Sequence, residues 1–273
     1  MSIWSQDLET LTTTEQSTPS YKKRYIAFLD IMGFSNLVKK TLTEKGYLEG
    51  VVEACKQLEE HKKFNEKPLA PVKSKSRTYM FSDSICHTVE PTPDGLVELI
   101  NDVAMLCVSL IYRGVFVRGA VVLGQVYEDG QVIFGPGLID AYENESKAAK
   151  YPRVLVSNDI YESSQSIDYV VGGREPMRLK ECIRRDFDGL YHVNWLCHLY
   201  KLYKPGAKGF PTDGPLDYES VKNVVQYWLR ESKERVDIQS KVQWFAGYFN
   251  EVIVLGKELN ILGPHGSLSA IEY

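Results

Sequence analysis

Hydrophobic and polar positions along this chain fall into two rhythms. Tyr25-Ile26-Ala27-Phe28-Leu29 is a short apolar run of strand type that ends at one carboxylate, Asp30. Leu37, Val38, Leu42, Leu48, Val51, Val52, Cys55 and Leu58 then recur at three- and four-residue steps between Phe34 and Phe64, which predicts an amphipathic helix broken near Gly46. After a loop containing Pro68 and Pro71, Tyr79-Met80-Phe81 enters Ser82-Asp83-Ser84 and leaves through Ile85. These residues predict a hairpin with an acid at its tip, closed by Pro91 and Pro93. From Asp94, the positions Leu96, Leu99, Ile100, Val103, Leu106, Cys107, Leu110 and Ile111 predict a second helix that stops before Gly114. Val115 to Tyr127 reads as a strand, and Glu128-Asp129-Gly130 turns it back into Gln131-Val132-Ile133-Phe134. Gly135-Pro136-Gly137 opens a helix reaching about Lys150, and Val154-Leu155-Val156 is a buried-type strand. Asp168 to Gly173 and Arg178 to Trp195 predict further strands.

This order of strand, helix, two strands, helix, two strands, helix, strand predicts an α+β fold: a mixed, mainly antiparallel sheet with helices on one face. Past Pro205 the pattern changes. A Gly/Pro loop leads to two helical stripes, Val221, Val224, Val225, Trp228 and Leu229, then Val242, Phe245, Phe249 and Val252, which need the core or a second subunit to cover them. The expected organisation is an N-terminal arm over 1–20, a main domain over 21–204 and a C-terminal helical extension over 205–273.

Composition narrows the function classes. In 273 residues, 32 basic and 36 acidic side chains give a net charge of -4, so the chain as a whole has no attraction for nucleic acid or an anionic membrane. Cys55, Cys86, Cys107, Cys182 and Cys197 lack paired metal-ligand spacing, which suits reduced thiols. No apolar run approaches the roughly 20 residues of a membrane span, so a cytoplasmic location is expected.

Asp30 and Asp83, both at strand ends beside small or glycine residues, are the candidate chemistry. Carboxylates and backbone carbonyls are the ligands that Mg²⁺ or Mn²⁺ prefers, and a pair of such ions suits phosphoryl transfer. Other candidates read better as structure. Gly135-Pro136-Gly137-Leu138-Ile139 begins like a dinucleotide fingerprint, but Asp140 stands where the third glycine belongs. Cys182, His192, Cys197 and His198 have irregular spacing for zinc, within a stretch that alternates like a strand. The lysines between Lys62 and Lys75 read as a solvated loop.

Asp30-Ile31-Met32-Gly33-Phe34, the later Ser82-Asp83 and Arg118-Gly119-Ala120-Val121-Val122-Leu123-Gly124 together resemble three blocks of the class III nucleotidyl cyclases, over about Tyr25 to Ser157. Phe81-Ser82-Asp83-Ser84, Arg118-Gly119-Ala120 and Ala148-Ala149-Lys150-Tyr151-Pro152-Arg153 look more narrowly like the pyrimidine cyclases of bacterial Pycsar anti-phage systems. The resemblance implies a ferredoxin-like core and a cyclase converting UTP, or CTP, to a 3′,5′-cyclic monophosphate and pyrophosphate. It implies two Mn²⁺ or Mg²⁺ ions on Asp30, Asp83 and the Ile31 carbonyl, and phosphate binding by the amides of Met32, Gly33, Phe34 and Ser35 with Arg118. It further implies a head-to-tail homodimer sharing its sites, and a separate effector that binds the cyclic nucleotide.

The departures from the family pattern are informative. Its base-reading positions fall on Arg77 and Val132; arginine offers donors only and valine cannot pair with a purine amine, which favours a pyrimidine. The positions of its transition-state Asn and Arg fall on Ile139 and Glu143, leaving Tyr142, Lys147, Lys150 or Arg153 to supply that function. A purine cyclase, and a catalytically inactive nucleotide-sensing or dimerisation module, stay open as alternatives.

Overall fold

The computed structural model describes residues 18–45, 49, 52, 76–169, 177–196, 218–258 and 268–273. Most of the arm, the second half of the first predicted helix, the lysine-containing loop, Cys197, His198 and the Gly/Pro loop after Pro205 lie outside the described residues.

β1 (Lys22–Ile31) forms because a β-branched and aromatic run has both faces covered, and its neighbours are antiparallel β3 (Ser84–Val89) on one side and antiparallel β4 (Val117–Asp129) on the other. β2 (Arg77–Phe81) joins β3 through the two-residue turn Ser82-Asp83. β5 (Val132–Phe134) folds back on β4, and β6 (Val154–Val156) pairs parallel to β4. After a two-stranded ribbon of β7 (Asp168–Tyr169) and β8 (Met177–Arg178), β9 (Ile183–Arg185) and β10 (Tyr191–Val193) complete the sheet order β2-β3-β1-β4-β6-β10-β9. The fold is therefore α+β with a mixed, mainly antiparallel sheet.

Among the described residues the α-helices are α1 (Phe34–Lys40), α2 (Pro93–Ile111), α3 (Pro136–Glu143), α4 (Asn158–Ser164), α5 (Tyr218–Glu231) and α6 (Val236–Glu258). α2 starts where Thr92 Oγ1 accepts from Gly95 N at 3.0 Å and Pro93 supplies a fixed φ at the first turn. Alternate residues of β1 divide the interior. Tyr25, Ala27, Leu29 and Ile31 join the large core with α2, α5 and α6, while Ile26 and Phe28 join a smaller cluster with Tyr79, Cys86, Val122 and Ala141 of α3. The apolar stripes of the C-terminal helices thus cover the sheet of their own chain, through Val221, Val225, Phe245 and Phe249. α3 carries its own small apolar stripe to the face lined by Ile26 and Phe28.

α3 sits close to the sheet because two glycines meet. A Cβ on Gly124 of β4 would lie 2.4 Å from Gly137 Cα, so only a pair of residues without side chains permits the approach. Beyond Glu143 the helix widens into a π turn over Asn144–Ala148. Gly137, Ala141, Glu145 and Ala149 are all buried at four-residue spacing, a longer period than the α-helix provides and one that the wider turn accommodates.

Candidate active site

Backbone pairing brings the three sequence blocks together. Asp30 of β1 lies in register with Ser84 on one side and Arg118 on the other. Ile31 N donates to Asp83 O at 3.1 Å, which pins the hairpin tip to the end of β1, and Met32 N donates to Phe116 O at 2.9 Å. Ser82 takes φ 57°, a left-handed conformation that costs a non-glycine residue roughly 1 kcal/mol and holds Asp83 at the tip.

Arg118 is the hub of the side chains. Its Nε donates to Asp30 Oδ2 at 3.0 Å, and its Nη2 lies 2.9 Å from Oε1 of Glu145, which descends from the π turn. Asp30 is partly buried and Glu145 almost wholly so. Burial raises the Asp30 carboxyl above its ordinary value, the Arg118 bond and charge pull it back, and the charge of Asp83 pushes it up again. Burial likewise raises Glu145, with Arg118 opposing and the charges of Asp30 and Asp83 reinforcing. Asp30 and Glu145 therefore share the Arg118 guanidinium, and the charge of Asp83 acts on both acids.

Carboxylates whose charges raise one another fit a divalent cation in their chemistry, which would relieve the repulsion that Arg118 only partly offsets. Among the described residues no three His, Cys, Asp or Glu side chains are gathered as a ready metal cluster. Asp30, Asp83 and the Ile31 carbonyl are the oxygen groups that would be offered to such an ion, with Arg118 resting on Asp30.

Arg118, expected on a triphosphate, is paired with carboxylates. The Met32 amide is already engaged by Phe116, so of the four amides assigned to phosphate it is the one committed to the backbone. Gly33, with φ 77°, Phe34 and Ser35 carry the chain into α1 directly beyond the site.

Arg77 and Val132 are not brought to this site. Arg77 pairs in register with Thr88, whose other neighbour is Ile26, so it lies four residues back along the strands from Asp30, roughly 13 Å at 3.3 Å per residue. Its guanidinium stands beside the Tyr79 hydroxyl, the largest of the influences that raise its pKa, with Glu128 and Asp129 adding smaller charge effects. Val132 is exposed and pairs with Asp129.

Of the residues considered as transition-state groups, Arg153 is fully buried and bonded to Asp186 and Asp188, with Tyr151 and Trp244 rings 5.3 and 5.6 Å from its guanidinium carbon. It is a structural latch and cannot reach the site. Lys147 pairs with Glu143 at the surface, and Ile139 and Lys150 are exposed. Tyr142 stands edge-on to Phe28, 5.7 Å between centroids, on the sheet face that carries Asp30.

Sequence reasoning missed Glu145, and with it the buried Arg24–Glu128 pair at 3.1 Å, to which the Thr88 hydroxyl also donates. A signal for Glu145 existed: it is the one acid in the stripe of Gly137, Ala141 and Ala149.

Fold and site together define an α+β protein whose mixed sheet displays two aspartates, an arginine and a buried glutamate where β1, β4 and the β2–β3 hairpin meet. No protein-family model matches the chain. No curated protein matches it in sequence. Its fold is similar to a bacterial light-regulated adenylyl cyclase, at 15% identity and TM-score 0.42 over 66% of this chain and 54% of that one. It is also similar to the catalytic core of a rhodopsin-guanylyl cyclase with converted specificity in complex with ATPαS, at 14% identity and TM-score 0.41 over 65% and 98%. A class III adenylyl cyclase-like ATP-binding protein from Pseudomonas aeruginosa aligns at 12% identity and TM-score 0.37 over 52% and 35%. The chain spans about half the length of the first of these. No helix among the described residues is long and apolar enough to cross a membrane.

Proposed function

We propose that this protein is a nucleotidyl cyclase acting on a pyrimidine nucleoside triphosphate, UTP or CTP. The observation that carries the reading is the convergence of Asp30, Asp83 and Arg118, three residues 53 and 35 positions apart in the chain, at adjoining strand ends. Asp30, Asp83 and the Ile31 carbonyl would hold Mn²⁺ or Mg²⁺, which supplies charge neutralisation for the triphosphate and acidifies the ribose hydroxyl. In the reaction the 3′-oxygen bonds to the α-phosphorus, the bond from that phosphorus to the oxygen bridging to the β-phosphate breaks, and pyrophosphate leaves while the hydroxyl proton passes to water. Arg118 would offer a planar donor fork to phosphate oxygens once it leaves Asp30, and the amides of Gly33, Phe34 and Ser35, between β1 and the first turn of α1, would add backbone donors. Tyr142 is the residue of this face best placed to supply a further donor.

A second copy of the chain completes the reading. Phe81, Ile139 and Tyr142 leave 45, 59 and 54% of their surfaces exposed around the site, apolar area suited to a head-to-tail partner. That partner would bring its own Arg77 and Val132 to the base, since those of the same chain lie too far along the sheet. The product would act on a separate effector, as in an anti-phage signalling pair. The purine alternative keeps one observation in its favour: Asp129, opposite Val132 and close enough to influence Arg77, is an acceptor that a purine amine could use. Asp30→Asn or Asp83→Asn tests the assignment: cyclic nucleotide formation falls at least a hundredfold with nucleotide still bound, and undiminished turnover by either variant rejects it.

A further inference from the structure

We propose that Glu145 is a positioning residue for Arg118, a buried carboxylate that holds the guanidinium in place while it exchanges Asp30 for a triphosphate oxygen. The inference rests on the cyclase reading for the identity of the anion. Its own ground is geometric. Arg118 has Asp30 on its Nε edge and Glu145 on its Nη2 edge, so the guanidinium is held from two sides by acids that reach it from different elements, β1 and the π turn after α3.

Glu145 pays poorly as a structural residue. Its side chain is 4% exposed, and Oε1 makes no hydrogen bond: the 2.9 Å approach to Arg118 is an ionic contact at an angle unsuited to one. A buried carboxylate oxygen without a donor is costly, and the neighbouring positions of its stripe are filled by glycine and alanine. Stability alone therefore does not account for an acid here. The wide turn nonetheless aims that acid at the one arginine in the site. When Asp30 is drawn to a cation, Arg118 loses its hydrogen-bonded partner. Glu145 is then the group that keeps it from swinging away, and before that moment it competes with phosphate for the guanidinium.

Two opposite effects follow from Glu145→Gln, which preserves shape and removes charge. Arg118 becomes freer for anions, so inorganic tripolyphosphate in EDTA binds about tenfold more tightly by calorimetry, the scale expected for one poorly solvated charge. It also becomes less well oriented, so kcat falls about tenfold while KM does not rise. Glu145→Asp, which keeps the charge but withdraws it, gives an intermediate gain and serves if the glutamine variant does not fold. In an Arg118→Gln background, Glu145→Gln changes tripolyphosphate affinity less than about twofold, because the effect acts through the arginine.

Equal tripolyphosphate affinity in parent and Glu145→Gln, absence of binding in both, or a gain that persists without Arg118 overturns the inference and leaves the cyclase reading standing. If no nucleoside triphosphate is cyclised but the affinity gain appears and depends on Arg118, the cyclase reading falls and the role of Glu145 at an anion site holds.

Discussion

Gly124→Ala tests whether the contact between α3 and the sheet sets the site. The new Cβ would lie 2.4 Å from Gly137 Cα and 3.3 Å from Gly137 N, both of them backbone atoms, where carbon atoms in contact ordinarily sit about 3.5–4.0 Å apart. No rotamer relieves the clash, so α3 must lift by roughly 1 Å, at about 1–3 kcal/mol for overpacking. The lift also moves Glu145, eight residues further along the same buried stripe, away from Arg118. Urea unfolding should show about 2 kcal/mol lost, and the folded variant should turn over at least tenfold more slowly at saturating nucleotide. Gly130→Ala, in the β4–β5 turn with nothing within 4 Å of its Cβ, is the control: its φ of 54° costs roughly 1 kcal/mol and leaves turnover unchanged. Parent-like stability and turnover in Gly124→Ala would refute the argument that this contact positions the site.

Other outcomes follow from the interior of the sheet's far end. Arg153→Ala leaves Asp186 and Asp188 without their cation and unstacks Trp244, so it should cost about 3–5 kcal/mol in urea unfolding, whereas Lys147→Ala at the surface should cost less than about 1 kcal/mol. Burial holds the His192 imidazole neutral, with its pKa lowered from 6.5 to about 3. The unfolded chain thus binds a proton that the folded one refuses between those values. His192 stability is complete above pH 6.5 and falls by up to about 1.4 kcal/mol per unit below it, a slope that a pH series of unfolding curves should find missing in His192→Gln.

The long elements were legible because their periodicity extends over enough residues to be unambiguous. β1, the β2–β3 hairpin, α2 and β4 appear within a few residues of their sequence-based bounds, and Gly114, with φ 73°, follows α2 as its stop signal suggested. β6 also matches its apolar run Val154–Val156, whereas β9 and β10, of three residues each, were read only as one strand-like stretch from Arg178 to Trp195 and are resolved into separate strands by their pairing. The placement of α3 on the opposite face depended on Gly124 meeting Gly137, a tertiary contact that neither local pattern announces.

In the site, Asp30 and Asp83 were visible as acids at strand ends and Arg118 through the resemblance of its block, and their meeting followed from sheet register. The partners of charged groups were not visible. Arg118 was read as a phosphate ligand from the resemblance of its block, and nothing in its neighbourhood along the chain showed Glu145, 27 residues later, turned inward by a π turn. Arg153 seemed available for chemistry for the same reason, since Asp186, Asp188 and Trp244 reach it only through tertiary packing.

The most direct test of the cyclase reading is incubation of the purified protein with Mn²⁺ and, separately, ATP, GTP, CTP and UTP, with products identified by mass spectrometry beside the Asp30→Asn variant. A cyclic pyrimidine monophosphate from UTP or CTP, absent with Asp30→Asn, is the predicted result. Cyclic AMP or cyclic GMP would contradict the reading of Arg77 and Val132, and no cyclic product from any of the four, with nucleotide binding intact, would contradict the cyclase assignment itself.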